Sequence, residues 1–266
     1  MNSRPGAALV TDACLVLRLA GPLQSWGSRS EFNRRDTDDR PTKSGVIGLL
    51  AAAQGRRRSD PIEDLLALQL GVRVDQPGSL LRDYHTVSDL HGGPLLSAST
   101  NAKGLQKTTS PKKFTHVTQR FYLQDAVIVV AVGGPRDLLT TLVGALRAPA
   151  FPLALGRRSC PPSEPLLLAH SVEEPLWAGG PLGVLKDVPW QAGAGWKHRM
   201  AGSARVPITV DDPSGPDARS DVPVSFEPAR RGMTTRRVSH HWIDLGDSGA
   251  DSASTAVHDP FALLGW

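Results

Sequence analysis

The chain has 266 residues, of which 40% are hydrophobic and 21% are charged, a composition typical of a soluble globular protein with one large domain or two modest ones. Its net charge of +4 is compatible with a polyanionic partner but does not require one. Two cysteines exclude a disulfide framework and a CxxC zinc site, and no apolar run approaches the ~20 residues that span a bilayer. A cytoplasmic protein that does not enter the membrane is therefore predicted.

The first third of the chain alternates between strand and helix patterns. Residues 14–21, CLVLRLAG, are rich in leucine and predict a buried strand that a Gly-Pro pair ends. Residues 41–55, PTKSGVIGLLAAAQG, predict a helix, and residues 59–71 predict a second one. Residues 72–74 and 80–87 alternate between apolar and polar side chains, which is typical of strands.

The middle of the chain contains a long stretch without hydrophobic periodicity, between Leu90 and Val117. Loops of this length in compact domains are usually functional or disordered, and the stretch predicts an exposed excursion, such as a hairpin. After it, residues 118–134 give the strongest strand pattern of the chain, and residues 135–149 predict a helix. Residues 151–162 predict a short strand that runs into a basic turn.

The order of these elements is strand, helix, strand, excursion, strand, helix, strand. This order predicts an α+β protein with a ferredoxin-like (RRM-like) βαββαβ core over residues 1–162. In such folds, an open sheet face or an edge between elements is available for single-stranded RNA. Dense proline and glycine with short apolar runs predict a small antiparallel β-rich C-terminal domain over residues 163–245, and residues 246–266 predict a disordered tail.

Positive charge is concentrated in two stretches. Residues 29–58 contain eight lysines and arginines against four acids, and residues 101–122 contain five against none. Basic residues with interleaved aromatics suit a flexible single strand of nucleic acid, whereas the alternative is a solvated loop, the usual role of a charge run. The candidate RNA contacts in these stretches are Arg34, Arg35, Arg40, Lys103, Lys107, Lys112 and Lys113.

Two further motifs suit a phosphate. Residues 41–45, PTKSG, place backbone N–H groups, two hydroxyls and an ammonium at the start of a predicted helix, for which a plain capped helix is the alternative. The P-loop spacing GxxxxGK[ST] is absent, so nucleotide hydrolysis is not indicated. Residues 155–160, LGRRSC, end a predicted strand with two arginines that can fork onto phosphates. The candidate contacts are Thr42, Lys43, Ser44, Arg157, Arg158 and Ser159.

Residues 81–87, LRDYHTV, contain the one candidate for catalysis. On a strand, Arg82 and Tyr84 face one side while Asp83 and His85 face the other. His85 could act as a general base on a ribose 2′-OH in metal-free RNA cleavage, assisted by Tyr84. The alternative is that Arg82, Tyr84 and His85 only hold RNA, with Tyr84 stacked on a base. A histidine without a positioned partner does not specify catalysis, so binding is the preferred interpretation.

Four stretches, taken in series, resemble one family. They are LRLAGPLQSWG (17–27), PTKSGVIGLL (41–50), LRDYHTV (81–87) and LGRRSCP (155–161). The chain resembles the CasD subunits of type I-E CRISPR Cascade complexes, which belong to the RAMP superfamily of RNA-binding proteins. The resemblance implies a ferredoxin-like core with a long thumb hairpin, here at about residues 88–118, and a smaller C-terminal domain.

The resemblance also implies a binding role in antiviral defence. Such subunits hold the 5′ handle of crRNA, cap the backbone filament beside the adjacent Cascade backbone subunit, and contact the large PAM-reading subunit, so that target DNA is reached indirectly. A different subunit makes the processing cut in type I-E systems, which implies a non-catalytic protein without cofactor or metal. In a related subtype the corresponding subunit cuts pre-crRNA itself, so a metal-independent endoribonuclease using His85 is the alternative. Lys43→Ala combined with Arg157→Ala is predicted to reduce handle retention without unfolding the core.

Overall fold

The computed structural model describes residues 12–27, 33–200, 204–227 and 230–245, and the predicted disordered tail lies outside these ranges. The strands are β1 (Ala13–Ala20), β2 (Leu23–Gln24), β3 (Arg34–Arg35), β4 (Gln69–Gln76), β5 (Ser79–Ser88), β6 (Leu96–Thr100), β7 (Gln106–Thr108), β8 (Thr115–Gln124), β9 (Val127–Gly133), β10 (Trp177–Ala178), β11 (Arg205–Asp211), β12 (Asp217–Ser225) and β13 (Gly232–Asp244). The helices are α1 (Lys43–Ala53), α2 (Glu63–Leu66), α3 (Arg136–Arg147), α4 (Pro181–Asp187) and α5 (Ala194–Arg199). Over the described ranges, no helix has the length and apolarity that crossing a membrane requires.

Seven strands form one antiparallel sheet in the order β10-β1-β9-β4-β11-β13-β12. Helices α1 and α3 cover one face of this sheet and α4 covers the other, so alternate residues of β1 enter two different cores. Leu15 and Leu17 pack in the first core, whereas Cys14 and Val16 pack in the second. Burial on both sides explains why β1 reads as a continuous apolar run. It also means that the sheet face expected to be open for RNA is covered by α4.

A long hairpin projects from this sheet. Strands β5 and β8 pair antiparallel from Ser79 opposite Gln124 to Ser88 opposite Thr115. The excursion between them contains a smaller hairpin of β6 and β7. On its other edge β8 pairs with β2 and with β3, so the hairpin base is held against the loop that precedes α1. The predicted strand at residues 80–87 is confirmed within this hairpin.

Three predicted elements differ from the structure. Residues 151–162 form turns rather than a strand, since Leu155 N–H donates to the Cys160 carbonyl and Cys160 N–H to the Arg157 carbonyl. The second predicted helix shortens to four residues because Gln69 already pairs with β9 as the start of β4. The single apolar pattern at residues 118–134 is two strands, joined by a tight turn in which Asp125 has a positive φ.

The C-terminal strands extend the main sheet. Strand β11 pairs with β4 from Ile208 opposite Arg73 to Val210 opposite Gly71, and β13 and β12 follow beyond it. The strands after Pro162 are therefore continuous with those before it. The division into two domains at that residue stays a prediction.

Candidate nucleic-acid interface

A basic pocket of about 470 Å³ lies between the start of α1, strands β3 and β8, and the turn at residues 155–160. Three arginines, Arg35, Arg120 and Arg157, line it, and none of the other lining residues that the structure describes is acidic. Thr42 and Ser44 add two hydroxyl groups from the start of α1. Guanidinium groups beside hydroxyls form charge-assisted hydrogen bonds with phosphate oxygens, so the pocket is chemically suited to a phosphodiester.

Strand pairing positions two of these arginines. Arg35 lies opposite Arg120 in the parallel pairing of β3 with β8, so both side chains leave the same face of that sheet. Asp83 lies opposite Arg120 on the other side, in the pairing of β5 with β8. Arg120 was missed as a candidate, although the alternation of THVTQRFYLQ places it on the same face as Tyr122.

Arg157 has a structural role as well as a place in the pocket. Its guanidinium donates to the backbone carbonyls of Phe121 (3.0 Å), Arg35 (2.6 Å) and Asp36 (3.2 Å), and it lies 4.9 Å from the centroid of the Tyr122 ring. These contacts tie β3 to β8. Replacing Arg157 would therefore disturb the pocket wall as well as remove a charge. The next two residues, Arg158 and Ser159, which were also predicted to contact RNA, are exposed.

Gly156 allows the 155–160 turn to pack on the loop before α1. It has a φ of 84°, and a Cβ atom there would lie 1.9 Å from the Ser25 carbonyl oxygen. The Leu155 carbonyl accepts a hydrogen bond from Ser25 N–H at 3.0 Å. The close partner of this glycine is therefore the protein's own backbone.

We expect Gly156→Ala to lower the free energy of unfolding by about 1–3 kcal/mol or more, because the new methyl group meets both a positive φ and a backbone oxygen. Thermal unfolding followed by circular dichroism measures the effect. Gly144→Ala is the matched control, since Gly144 lies within α3 and a Cβ there meets nothing within 4 Å. Equal melting temperatures for the two variants would contradict this account of Gly156.

Lys43, a predicted phosphate contact, is not among the residues that line the pocket, and its ammonium group is directed to protein partners. Its side chain is buried, and Nζ donates to the Leu68 carbonyl at 2.7 Å and to Asp211 Oδ2 at 3.0 Å. The combined Lys43→Ala and Arg157→Ala variant would remove one buried cation and one structural arginine. The prediction that this variant leaves the core intact therefore no longer has physical support.

The start of α1 is capped by protein groups. Lys43 N–H donates to Asp221 Oδ2 at 3.0 Å, and Gly45 N–H donates to Thr42 Oγ1 at 3.1 Å. Val46 N–H donates to the Thr42 carbonyl at 3.1 Å. These backbone N–H groups of α1 are therefore bonded within the protein, as the alternative interpretation of PTKSG, a plain capped helix, predicted. The attraction of the pocket for anions comes mainly from its arginines.

Arg34 and Arg40 have different environments. Arg40 donates to both oxygens of Asp39 (3.0 and 2.7 Å) and to Thr209 Oγ1 (2.6 Å), so it links the loop before α1 to β11. Its hydrogen bonds lower the pKa of Asp39 below the ordinary value of that carboxyl group, against the opposing effect of burial. Arg34 remains 66% exposed, pairs with Asp36 at 2.9 Å and lies 4.8 Å from the centroid of the Phe121 ring. Arg34 is therefore accessible to a ligand, whereas Arg40 is largely engaged.

The residues of β5 alternate between faces as predicted. Tyr84 is 64% exposed and lies opposite Gln119, while Arg82 is exposed and lies opposite Phe121. His85 is on the other face with Asp83, and the distance from His85 Nδ1 to Asp83 Oδ2 is 3.8 Å, too long for a hydrogen bond. The exposed tyrosine and arginine can stack on bases, whereas His85 shares its face of the hairpin with Asp83 and with Arg120, which lies opposite Asp83.

The predicted lysines of the excursion are all exposed. Lys103 lies in the turn between β6 and β7, Lys107 lies on β7, and Lys112 and Lys113 precede β8. None of the four forms an ion pair with a residue in the described part of the chain. Phe114 is 54% exposed beside them. Within the described residues, the hairpin therefore carries lysines without ion pairs beside an accessible aromatic ring, a combination that suits single-stranded nucleic acid.

Comparison with known proteins identifies the family. The chain matches the family model for CRISPR-associated protein (Cas_Cas5) over residues 14–239. It is 37% identical over 169 residues to the CRISPR system Cascade subunit CasD of Escherichia coli (strain K12), and the alignment covers 58% of this chain and 69% of that protein.

The chain also resembles two solved structures. A chain of a CRISPR RNA-guided surveillance complex aligns with a TM-score of 0.65 and 36% identity over 86% of this chain and 89% of that chain. A crystal structure of a Cas protein aligns with a TM-score of 0.61 and 35% identity over 86% of this chain and 94% of that chain. The resemblance inferred from the four sequence stretches is confirmed, and the chain belongs to the CRISPR-associated Cas5 family.

Proposed function

We propose that this chain is the non-catalytic RNA-binding subunit of a type I-E CRISPR Cascade surveillance complex, where it holds the 5′ handle of crRNA in antiviral defence. The observation that supports this most is a pocket whose described lining contains three arginines and no acid, beside an exposed hairpin whose four lysines form no ion pair with a described residue. The relative from E. coli is a Cascade subunit, and a second relative comes from an RNA-guided surveillance complex, which supports the same role. In this role the protein works in the cytoplasm.

The proposal includes a ferredoxin-like core with a thumb. In support, β1, α1, β4, β9, α3 and β10 follow the βαββαβ order, with β10 reduced to two residues at the edge of β1. Residues 166–168 extend that edge, since Arg18 N–H donates to the Leu166 carbonyl at 2.8 Å and Leu168 N–H to the Val16 carbonyl at 2.9 Å. The hairpin of β5 and β8 with its β6–β7 tip corresponds to the thumb.

The mechanism that follows is electrostatic and steric. The RNA phosphates enter the pocket, where Arg35 and Arg120 pair with them, and bases that reach the opposite face of the β5–β8 hairpin stack on Arg82 and Tyr84. The hairpin lysines neutralise the next phosphates and set the spacing to the adjacent backbone subunit. Because α4 covers one sheet face, the RNA follows the edge formed by α1, β8 and the 155–160 turn. The subunit caps the filament beside the large PAM-reading subunit, and the guide reads the target by base pairing.

A binding role predicts that purified protein leaves repeat RNA intact in EDTA, because Asp83 Oδ2, at 3.8 Å from His85 Nδ1, is too distant to orient that imidazole as a general base. Gel analysis of labelled repeat RNA after prolonged incubation tests this. His91→Ala, which changes another exposed histidine of the excursion, is the control for His85→Ala. Specific cleavage that His85→Ala abolishes and His91→Ala preserves would replace this proposal with the endoribonuclease alternative.

A further inference from the structure

A second basic surface lies in the segment that follows α4. Residues 188–210 contain no acid, and within them α5 has the sequence AGWKHR. This helix buries none of its residues, so its side chains are displayed rather than used for packing. No ion pair within 4 Å engages Lys197 or Arg199 among the residues that the structure describes. We call Trp190, Trp196, Lys197 and Arg199 the α5 patch.

Each tryptophan of the α5 patch has a cation near its ring. Lys197 Nζ lies 5.9 Å from the centroid of the Trp190 ring, and the Arg199 guanidinium carbon lies 5.3 Å from that of Trp196. Both rings are partly exposed. A nucleotide can stack its base on a partly exposed indole, and the lysine or arginine beside that ring can bind its phosphate. The pair of Arg205 and Trp242 differs, because Asp244 lies 3.7 Å from that arginine.

The strand beneath holds the base of the α5 patch in place. The Trp190 indole N–H donates to the Asp75 carbonyl at 3.0 Å, and Gln191 N–H donates to Asp75 Oδ2 at 2.7 Å. Asp75 is fully buried and pairs with Arg73, whose guanidinium also donates to the Val188 and Pro189 carbonyls. Trp190 is therefore preorganised, which lowers the entropy lost when a ligand binds.

We infer that the α5 patch is a second contact for a single-stranded nucleic acid. Its positive charge is complementary to phosphates. Its two indoles favour single strands, because unpaired bases expose their faces whereas the bases of a duplex do not. Its base adjoins the end of α4, since Gln191 contacts Asp75 and the neighbouring Arg73 donates to the Val188 carbonyl, whereas the arginine pocket lies at the start of α1, which packs on the other face of the sheet. The inference goes beyond the proposed function, since it requires neither the handle nor the pocket.

The test uses full-length protein and fluorescence anisotropy with labelled 12-nucleotide oligo(U) RNA and oligo(dT) DNA. Trp196→Ala is expected to weaken binding of at least one strand about 5- to 100-fold, and Lys197→Ala with Arg199→Ala to weaken it comparably. Trp242→Ala and the exposed pair Arg57→Ala with Arg58→Ala are the matched controls and are expected to leave the affinity within about twofold. The RNA and DNA probes show which strand the patch prefers. Because α5 buries no residue, the melting temperature is expected to stay unchanged in the α5 variants.

The same measurements in an Arg35→Ala and Arg120→Ala background separate this site from the pocket. If the inference is right, residual binding in that background is lost on adding Trp196→Ala, whatever the pocket variants do by themselves. Wild-type affinity in both α5 variants would overturn it. Equal affinity for a 12-base-pair duplex, together with a neutral Trp196→Ala, would also overturn it. Binding of a poly-glutamate peptide at the patch without binding of either strand would assign the surface to an acidic protein instead.

Discussion

Replacing Asp221 by alanine is expected to lower the free energy of unfolding by about 3–5 kcal/mol, because it removes one of the two carboxylates that pair with the largely buried Arg236. Asp221 is 3% exposed, and its carboxylate accepts hydrogen bonds from Arg236 Nε at 2.7 Å and Arg236 Nη2 at 2.8 Å. Arg236 also pairs with Asp211, which accepts from Lys43. Two anions thus balance two cations in this cluster, and the variant leaves one positive charge in excess inside the protein.

The cluster also predicts how stability depends on pH. Burial by itself would raise the pKa of Asp221, but the hydrogen bonds and charge of Arg236 outweigh burial and lower the pKa below its ordinary value. A carboxyl group whose pKa is lower in the folded state stabilises the protein above its unfolded value of about 4, and this stabilisation is lost as the pH falls through the folded value. The wild type is therefore expected to lose stability below about pH 4, and Asp221→Asn is expected to lack this part of the loss.

Urea denaturation at pH 7, and at intervals from pH 5 to pH 3, measures both effects. Asp217→Ala is the matched control, because Asp217 lies on the same strand, is 60% exposed and pairs only at the surface with His240 at 3.4 Å. An exposed pair of this kind contributes about 0–1 kcal/mol. Equal unfolding midpoints for Asp221→Ala and Asp217→Ala would contradict the buried-cluster account.

The residues of this cluster could not be predicted from the sequence to lie together. Helices α1 and α3 and strand β5 could be predicted because their patterns repeat within a few residues and depend on local geometry. The burial of Lys43 could not, since its partner Asp211 is 168 residues away in a strand whose pairing with β4 no local pattern specifies. In the sequence, a lysine at a helix start and an aspartate at a strand end are typical of surface residues. Only the pairing of β11 with β4 brings these two together in the interior.

The candidate site was predicted in part for the same reason. The motifs at residues 41–45 and 155–160 were each predicted to suit a phosphate, and the structure brings Thr42, Ser44 and Arg157 to one pocket. Arg120 was counted with the basic stretch but not assigned a role, because its neighbour Arg35 belongs to a two-residue strand with no periodicity to detect. Short strands are defined by their partners and not by their own sequence.

The RNA affinity is expected to fall about 100-fold or more when Arg35 and Arg120 are both replaced by alanine. Hydrogen bonds to charged groups contribute about 1.5–3 kcal/mol each, and the two arginines are the pocket cations whose side chains are not used to join β3 to β8. Each lost phosphate contact should also reduce the slope of log affinity against log salt by about one, so the double variant should lose about two. Titration of labelled crRNA handle RNA at several salt concentrations measures the affinity and the slope together.

The control for this variant is Arg57→Ala with Arg58→Ala, which removes the same charge from exposed positions after α1. A general reduction of positive charge would weaken RNA binding equally in both double variants, whereas a phosphate site requires the pocket variant alone to lose the affinity and the slope. Unchanged melting temperatures are expected for the pocket variant, because Arg35 is exposed and Arg120 makes no ion pair with a residue that the structure describes. A folded pocket variant that binds handle RNA with wild-type affinity and slope would rule out the pocket as the phosphate site, and RNA contact would then rest on the hairpin lysines with Arg82 and Tyr84.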